Sequence, residues 1–118
     1  LVTGCDIIEY AIAQLRQHSE FECRGFGELA HTRFVGGGLG YDPGDVTFSN
    51  RAAYVRLMPG SDTTLATAVP EDFNVYVNPL FFDISLGNQM AVLAHEEVHH
   101  LGYTHVDGYA DHIFDICR

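Results

Sequence analysis

Apolar residues recur at helical spacing near the start of the chain. Ile7, Ile8, Ala11, Ile12 and Leu15 fall on one stripe of residues 5–18, with Asp6 and Glu9 where the positive end of a helix dipole favours acids. The spacing predicts an amphipathic helix there. Through residues 20–45 no clear period emerges, and the centre, GGGLGYDPGD (Gly36 to Asp45), reads as a loop. Triple glycine ahead of aspartates suggests a phosphate cradle, but no GK[ST] follows and no strand–glycine–helix order surrounds it. A surface loop is the better reading.

Short β-rich runs follow at Val46–Ser49 and Ala53–Met58, the second closed by Pro59–Gly60. Phe73–Val77 alternates, with Phe73, Val75 and Val77 on one face and Asn74 and Tyr76 on the other, until Asn78–Pro79 stops it. Ser85 is placed as an N-cap for a helix that runs to about Leu101, with Gly102 as its C-terminal stop. On that helix Met90, Ala94, Val98 and Leu101 share one stripe. Val92, His95 and His99 share a neighbouring one with Glu96 beside them, while Glu97 and His100 point elsewhere. The pattern predicts one face for the core and one for polar chemistry. With no internal repeat and no linker, a single domain over residues 1–118 is expected, of α+β class: an N-terminal helix, a short mixed sheet and a motif-bearing helix.

Composition narrows the function. At 118 residues, 47% apolar and 19% charged, the chain has ordinary globular usage and room for one core. Its net charge is −10, and every positive residue is arginine. Such a chain repels polyphosphate, so nucleic acid is an unlikely partner, and an anionic membrane surface is disfavoured for the same reason. No apolar run approaches the roughly 20 residues that span a bilayer. The chain opens on Leu1 with no leader ahead of Cys5, which reads as a processed product or an excised domain. Cys5, Cys23 and Cys117 lack the paired spacing of a zinc ribbon or redox motif. One disulfide with a spare thiol and three reduced thiols are both open; Cys5 with Cys117 would tie the ends, and Cys5 with Cys23 would brace the first helix. The acidic, lysine-free composition leans towards a secreted or periplasmic protein.

The chemistry lies in residues 95–105, HEEVHHLGYTH. Histidines four apart on a helix project side by side, one turn apart, and can share one ion; zinc suits imidazole nitrogen. Glu96 stays near that ion without covering it, where a carboxylate takes a proton from activated water. Gly102 permits the tight exit that sends the chain back, so that His105 arrives as a third ligand and leaves a fourth position open. By chance, roughly one chain in 10⁴ of this composition would carry the pattern.

Through His95, Glu96, His99, Gly102 and His105 the chain resembles the metzincin clan of zinc-dependent endopeptidases, whose signature is H-E-x-x-H-x-x-G-x-x-H. The resemblance implies a small zincin-like catalytic domain with one Zn²⁺ per chain held by His95, His99 and His105. It also implies peptide-bond hydrolysis by metal-activated water with Glu96 as general base, and Phe73–Val77 as an edge strand that pairs with extended substrate. Two features depart from the clan. Met58 and Met90 both lie upstream of the motif, so the methionine turn below the metal is missing, and only 13 residues follow His105. Asp107, Asp111 or His112 therefore stand as replacements or supports for His105. Tyr103 and Tyr109 are candidates for stabilising an oxyanion, and Asp42 and Asp45 are too few ligands to argue calcium.

So small a chain suits a short peptide, a flexible protein loop or a peptidoglycan cross-link as substrate. It also suits a secreted toxin or effector domain with a cognate inhibitor or immunity protein. Two other readings compete. HHLGYTH resembles half of the signature of small rRNA-maturation endoribonucleases, which usually lack the glutamate present here as Glu96 and which need a basic cleft. A non-catalytic structural metal module would close its site with a fourth protein ligand and leave Glu96 without a role.

Overall fold

The structure, a computed structural model, describes residues 4–37, 39–41, 55–57, 66–69, 74–77 and 79–118. Helix α1 (Gly4–Arg16) forms where the apolar stripe predicts, and Ile8, Ala11, Ile12 and Leu15 are all buried. Asp6 in its first turn and Arg16 in its last complement the dipole. The chain then reverses at once. Arg24 fastens the turn by donating from Nη1 to the carbonyls of His18 (2.8 Å) and Ser19 (3.0 Å).

Helix α2 (Phe21–Gly37) occupies a stretch without a clear period, and its Gly36 and Gly37 are the helix end, not the opening of a loop. Its core face is Cys23, Phe26 and Ala30. Gly27 sits where α2 crosses the end of α1. A Cβ there would come within 2.7 Å of the Arg16 backbone nitrogen and 2.8 Å of the Leu15 Cβ, so glycine is what permits the approach.

Four stretches of three or four residues follow: β1 (Leu39–Tyr41), β2 (Val55–Leu57), β3 (Ala66–Val69) and β4 (Asn74–Val77). They pair in the order β1-β2-β4-β3, with β2 parallel to β1 and β4, and β3 antiparallel to β4. Because β4 is paired on both sides, Asn74–Val77 is not the free edge expected to receive an extended substrate. The expected run Ala53–Met58 contains β2, while its ends, the run at Val46–Ser49 and the Asp42–Asp45 turn lie outside the described residues.

A 3₁₀ turn (Pro79–Asp83) leads into α3 (Leu86–His100). Ser85 caps it as predicted, its hydroxyl accepting from the Asn88 N–H at 3.3 Å. A second 3₁₀ turn, His105–Asp107, precedes α4 (Tyr109–Cys117), an amphipathic helix that buries Ala110, Ile113 and Cys117. Among the described residues, no helix is long and apolar enough to cross a membrane.

This arrangement corrects the expected α+β class with its zincin-like sheet. The described body is a mostly helical, four-helix domain in which α1, α2 and α4 each pack directly on α3. Among the side chains described, the core comes mainly from the helices, with Val75 and Val77 of β4 joining it. The reason lies in the helices: at 9 to 17 residues each, they bring apolar stripes to a shared centre. The two-faced reading of α3 is corrected with it. Residues 89–94, Glu96, Glu97, Val98 and His100 are all buried, so α3 is the central element, covered on nearly every side. Leu101, assigned to its core stripe, is instead half exposed beyond the helix end.

The polar side of α3 away from His95 is closed by α2. Glu97, wholly buried, receives a hydrogen bond from Arg33 Nη1, and His100 Nδ1 lies 3.2 Å from the same carboxylate oxygen. A buried carboxylate needs such partners to stay charged. The remaining cysteine question is answered by a bond that neither suggested pairing contained: Cys23 and Cys117 are joined, tying α2 to the end of α4.

Candidate metal centre

His95 and His99 project from adjacent turns of α3, and His105 returns to them from the 3₁₀ turn beyond Gly102. Gly102 has φ +97°, a left-handed conformation that other residues adopt at a cost, and this reversal carries the chain back over the helix end. The three rings then face one another. Centroids are 4.7 Å apart for His95 and His99, 5.2 Å for His95 and His105, and 4.6 Å for His99 and His105. One nitrogen from each ring lies within 4.8 Å of the others, so the three are close enough to bind one metal ion.

The orientation of the first two rings follows from backbone acceptors. His95 Nδ1 lies 3.0 Å from the Ala110 carbonyl in the first turn of α4, and His99 Nδ1 lies 2.8 Å from the Tyr103 carbonyl. A carbonyl can only accept, so both Nδ1 atoms carry a proton, and the neutral tautomer this selects in each ring is the one with its lone pair on Nε2. Those two Nε2 atoms stand 3.2 Å apart. Lone pairs facing at that distance repel unless a cation or a proton lies between them. Burial lowers the His95 pKa first of all. The Ala110 hydrogen bond opposes that, His99 and His105 add to the lowering, and Asp111 acts against it. The net effect favours the neutral, metal-ready ring. Phe114 closes one side, its ring edge-on to His95 at 6.2 Å.

Glu96 is 5% exposed, a hundred degrees round the helix from His95, and so flanks the pair rather than facing it. The reserve candidates separate clearly. Both carboxylate oxygens of Asp107 accept backbone N–H groups, from Thr104 at 2.9 Å and from Tyr109 at 3.0 Å, which shapes the turn that carries His105. His112 lies against the Tyr109 ring, outside the triad. Asp111 Oδ1 is 3.9 Å from His105 Nδ1. Tyr109 packs on Tyr103 and Phe26, and burial, then Glu22 and Tyr103, push its hydroxyl pKa up, so it is a protonated, packed aromatic. Tyr103 offers its carbonyl to His99, while its ring packs on Tyr109.

Sequence reasoning missed the two carbonyl acceptors because any residue type can supply them. The helix that brings one of them was readable: Ala110, Ile113, Phe114 and Cys117 repeat at helical spacing. Comparison with protein-family models, curated proteins and solved structures finds no match for this chain, so the reading of the centre rests on its own residues.

Proposed function

We propose that this chain is a zinc-dependent hydrolase that cleaves peptide bonds, with His95, His99 and His105 as ligands and Glu96 as general base. The observation that carries the reading is the pair of Nε2 atoms 3.2 Å apart with both Nδ1 atoms committed to carbonyls. Two nitrogens on a tetrahedral zinc at ordinary bond lengths stand about 3.3 Å apart. An all-imidazole donor set suits zinc and does not suit calcium or magnesium, which take oxygen. Three protein ligands leave a position for substrate and water, the arrangement of catalytic rather than structural sites.

Zinc bound there supplies Lewis-acid polarisation of the scissile carbonyl and a lowered pKa for its water. Glu96, beside the histidine pair, takes the proton from the attacking water and returns it to the leaving amine. The ordered Nδ1 donors hold the ligand rings in one tautomer throughout. The substrate class is a protein loop, a short peptide or a peptidoglycan cross-link; a net charge of −10 argues against RNA. The Cys23–Cys117 bond supports a secreted or periplasmic setting, where disulfides persist.

Two measurements test it. Metal analysis of the full chain should find one zinc, lost in His95→Ala. Glu96→Gln should keep that zinc while turnover of a casein or peptidoglycan substrate falls by about 10²–10⁴-fold, the usual contribution of a positioned acid–base group. Full activity in Glu96→Gln would end the proposed mechanism.

A further inference from the structure

His95 and His99 are each held by a backbone carbonyl on Nδ1, but His105 is not. It is carried on a three-residue 3₁₀ turn, its side chain is 69% exposed, and among the described residues no carbonyl accepts from its ring. A ligand so loosely held would lose rotamer freedom on binding an ion and weaken the site accordingly. The only described group that faces its Nδ1 is the Asp111 carboxylate, at 3.9 Å and equally exposed. A small rotation of either side chain, or one bridging water, makes that a hydrogen bond. The alternatives are already engaged, Asp107 by two backbone N–H groups and His112 by the Tyr109 ring.

We propose that Asp111 is the positioning residue of the third ligand, its carboxylate accepting the Nδ1–H of His105 so that Nε2 of that ring turns to the ion held by His95 and His99. The proposal rests on the metal-centre reading above. It gives the first turn of α4 a double task, since Ala110 orients one ligand through its carbonyl and Asp111 orients another through its side chain. A carboxylate on the far nitrogen also makes the imidazole a better donor.

The test is a double-mutant cycle on the full chain, with zinc affinity read by competition with a chromophoric chelator. Asp111→Ala should weaken zinc binding about tenfold or more, within the 10–100-fold range of such supporting groups, and Asp111→Asn, which keeps an acceptor oxygen, should recover part of the loss. In a His105→Ala background, Asp111→Ala should have no further effect. A carboxylate that merely attracts the cation would act equally in both backgrounds, and that result overturns the proposal, as does a change of less than twofold in the parent chain. Asp111 is exposed, so thermal unfolding of the variant should match the parent and separates lost positioning from lost fold. If the parent chain binds no zinc, the metal-centre reading fails and this proposal falls with it; if the parent binds tightly and only the cycle fails, the metal centre stands without it.

Discussion

His95 is half-buried, with its Nδ1 against the Ala110 carbonyl of α4, and its protonation is coupled to folding. Burial, the largest influence on it, places its native pKa below the ordinary imidazole value of 6.5. Above that pH the ring is neutral in folded and unfolded chains alike, and its contribution to stability is fully present. As pH falls below about 6.5 the unfolded chain takes up a proton that the native ring still refuses, and stability is lost over the interval down to the native pKa. Urea midpoints of the metal-free chain between pH 7.5 and 5 should therefore drop more steeply for the parent than for His95→Gln, and parallel curves would contradict the assignment. At this scale the clustering of His95, His99 and His105 was legible in the sequence, because their spacing on a helix and past a glycine brings three imidazoles together. Their orientation was not, because Ala110 and Tyr103 act through carbonyls that every residue possesses.

Among the elements, α1 and α3 were legible because long apolar periods and a good cap leave few alternatives. The Ser85 cap and the Gly102 stop fall where the chain pattern puts them. Helix α2 was not legible: its glycines suggest a loop, yet Gly27 is required by the close crossing over Leu15 and Arg16, a tertiary fact invisible to local pattern. Two of the expected β-runs do contain strands, Val55–Leu57 within Ala53–Met58 and Asn74–Val77 within Phe73–Val77, but alternation within a run says nothing of which strand will lie at the sheet edge. Gly102 is the position where element geometry and metal chemistry meet. Among the described residues, chain neighbours aside, no atom lies within 4 Å of a Cβ added there, so the effect of Gly102→Ala is confined to the backbone at φ +97°. That substitution should lower stability by about 1–2 kcal/mol, the usual cost of a side chain in left-handed conformation. Because the bend returns His105 to α3, it should also weaken zinc binding. Denaturant unfolding with and without metal distinguishes the two effects.

For the molecule as a whole, the disulfide and the three-histidine cluster lie on overlapping parts of the same body. Cys23–Cys117 links residues 94 apart and anchors the far end of α4, whose near end orients His95. A loop of that length restricts the unfolded chain enough to contribute about 4.7 kcal/mol on the chain-entropy account, less whatever structure the reduced unfolded chain retains. Both cysteines are fully buried, so serine at both positions also removes packed sulfur from the core. Cys23→Ser/Cys117→Ser should accordingly lower the urea midpoint substantially, with the m-value reporting whether the unfolded state has expanded. Zinc offers an independent handle on the same variant. An ion that binds only the native state stabilises it by about 2.7 kcal/mol at a hundred times its dissociation constant, so excess zinc should restore a large part of the loss. That restoration should vanish when His99→Ala is added. If zinc raises the midpoint equally with and without His99, the ion is acting elsewhere on the chain, and the three imidazoles are not the site through which it stabilises the fold.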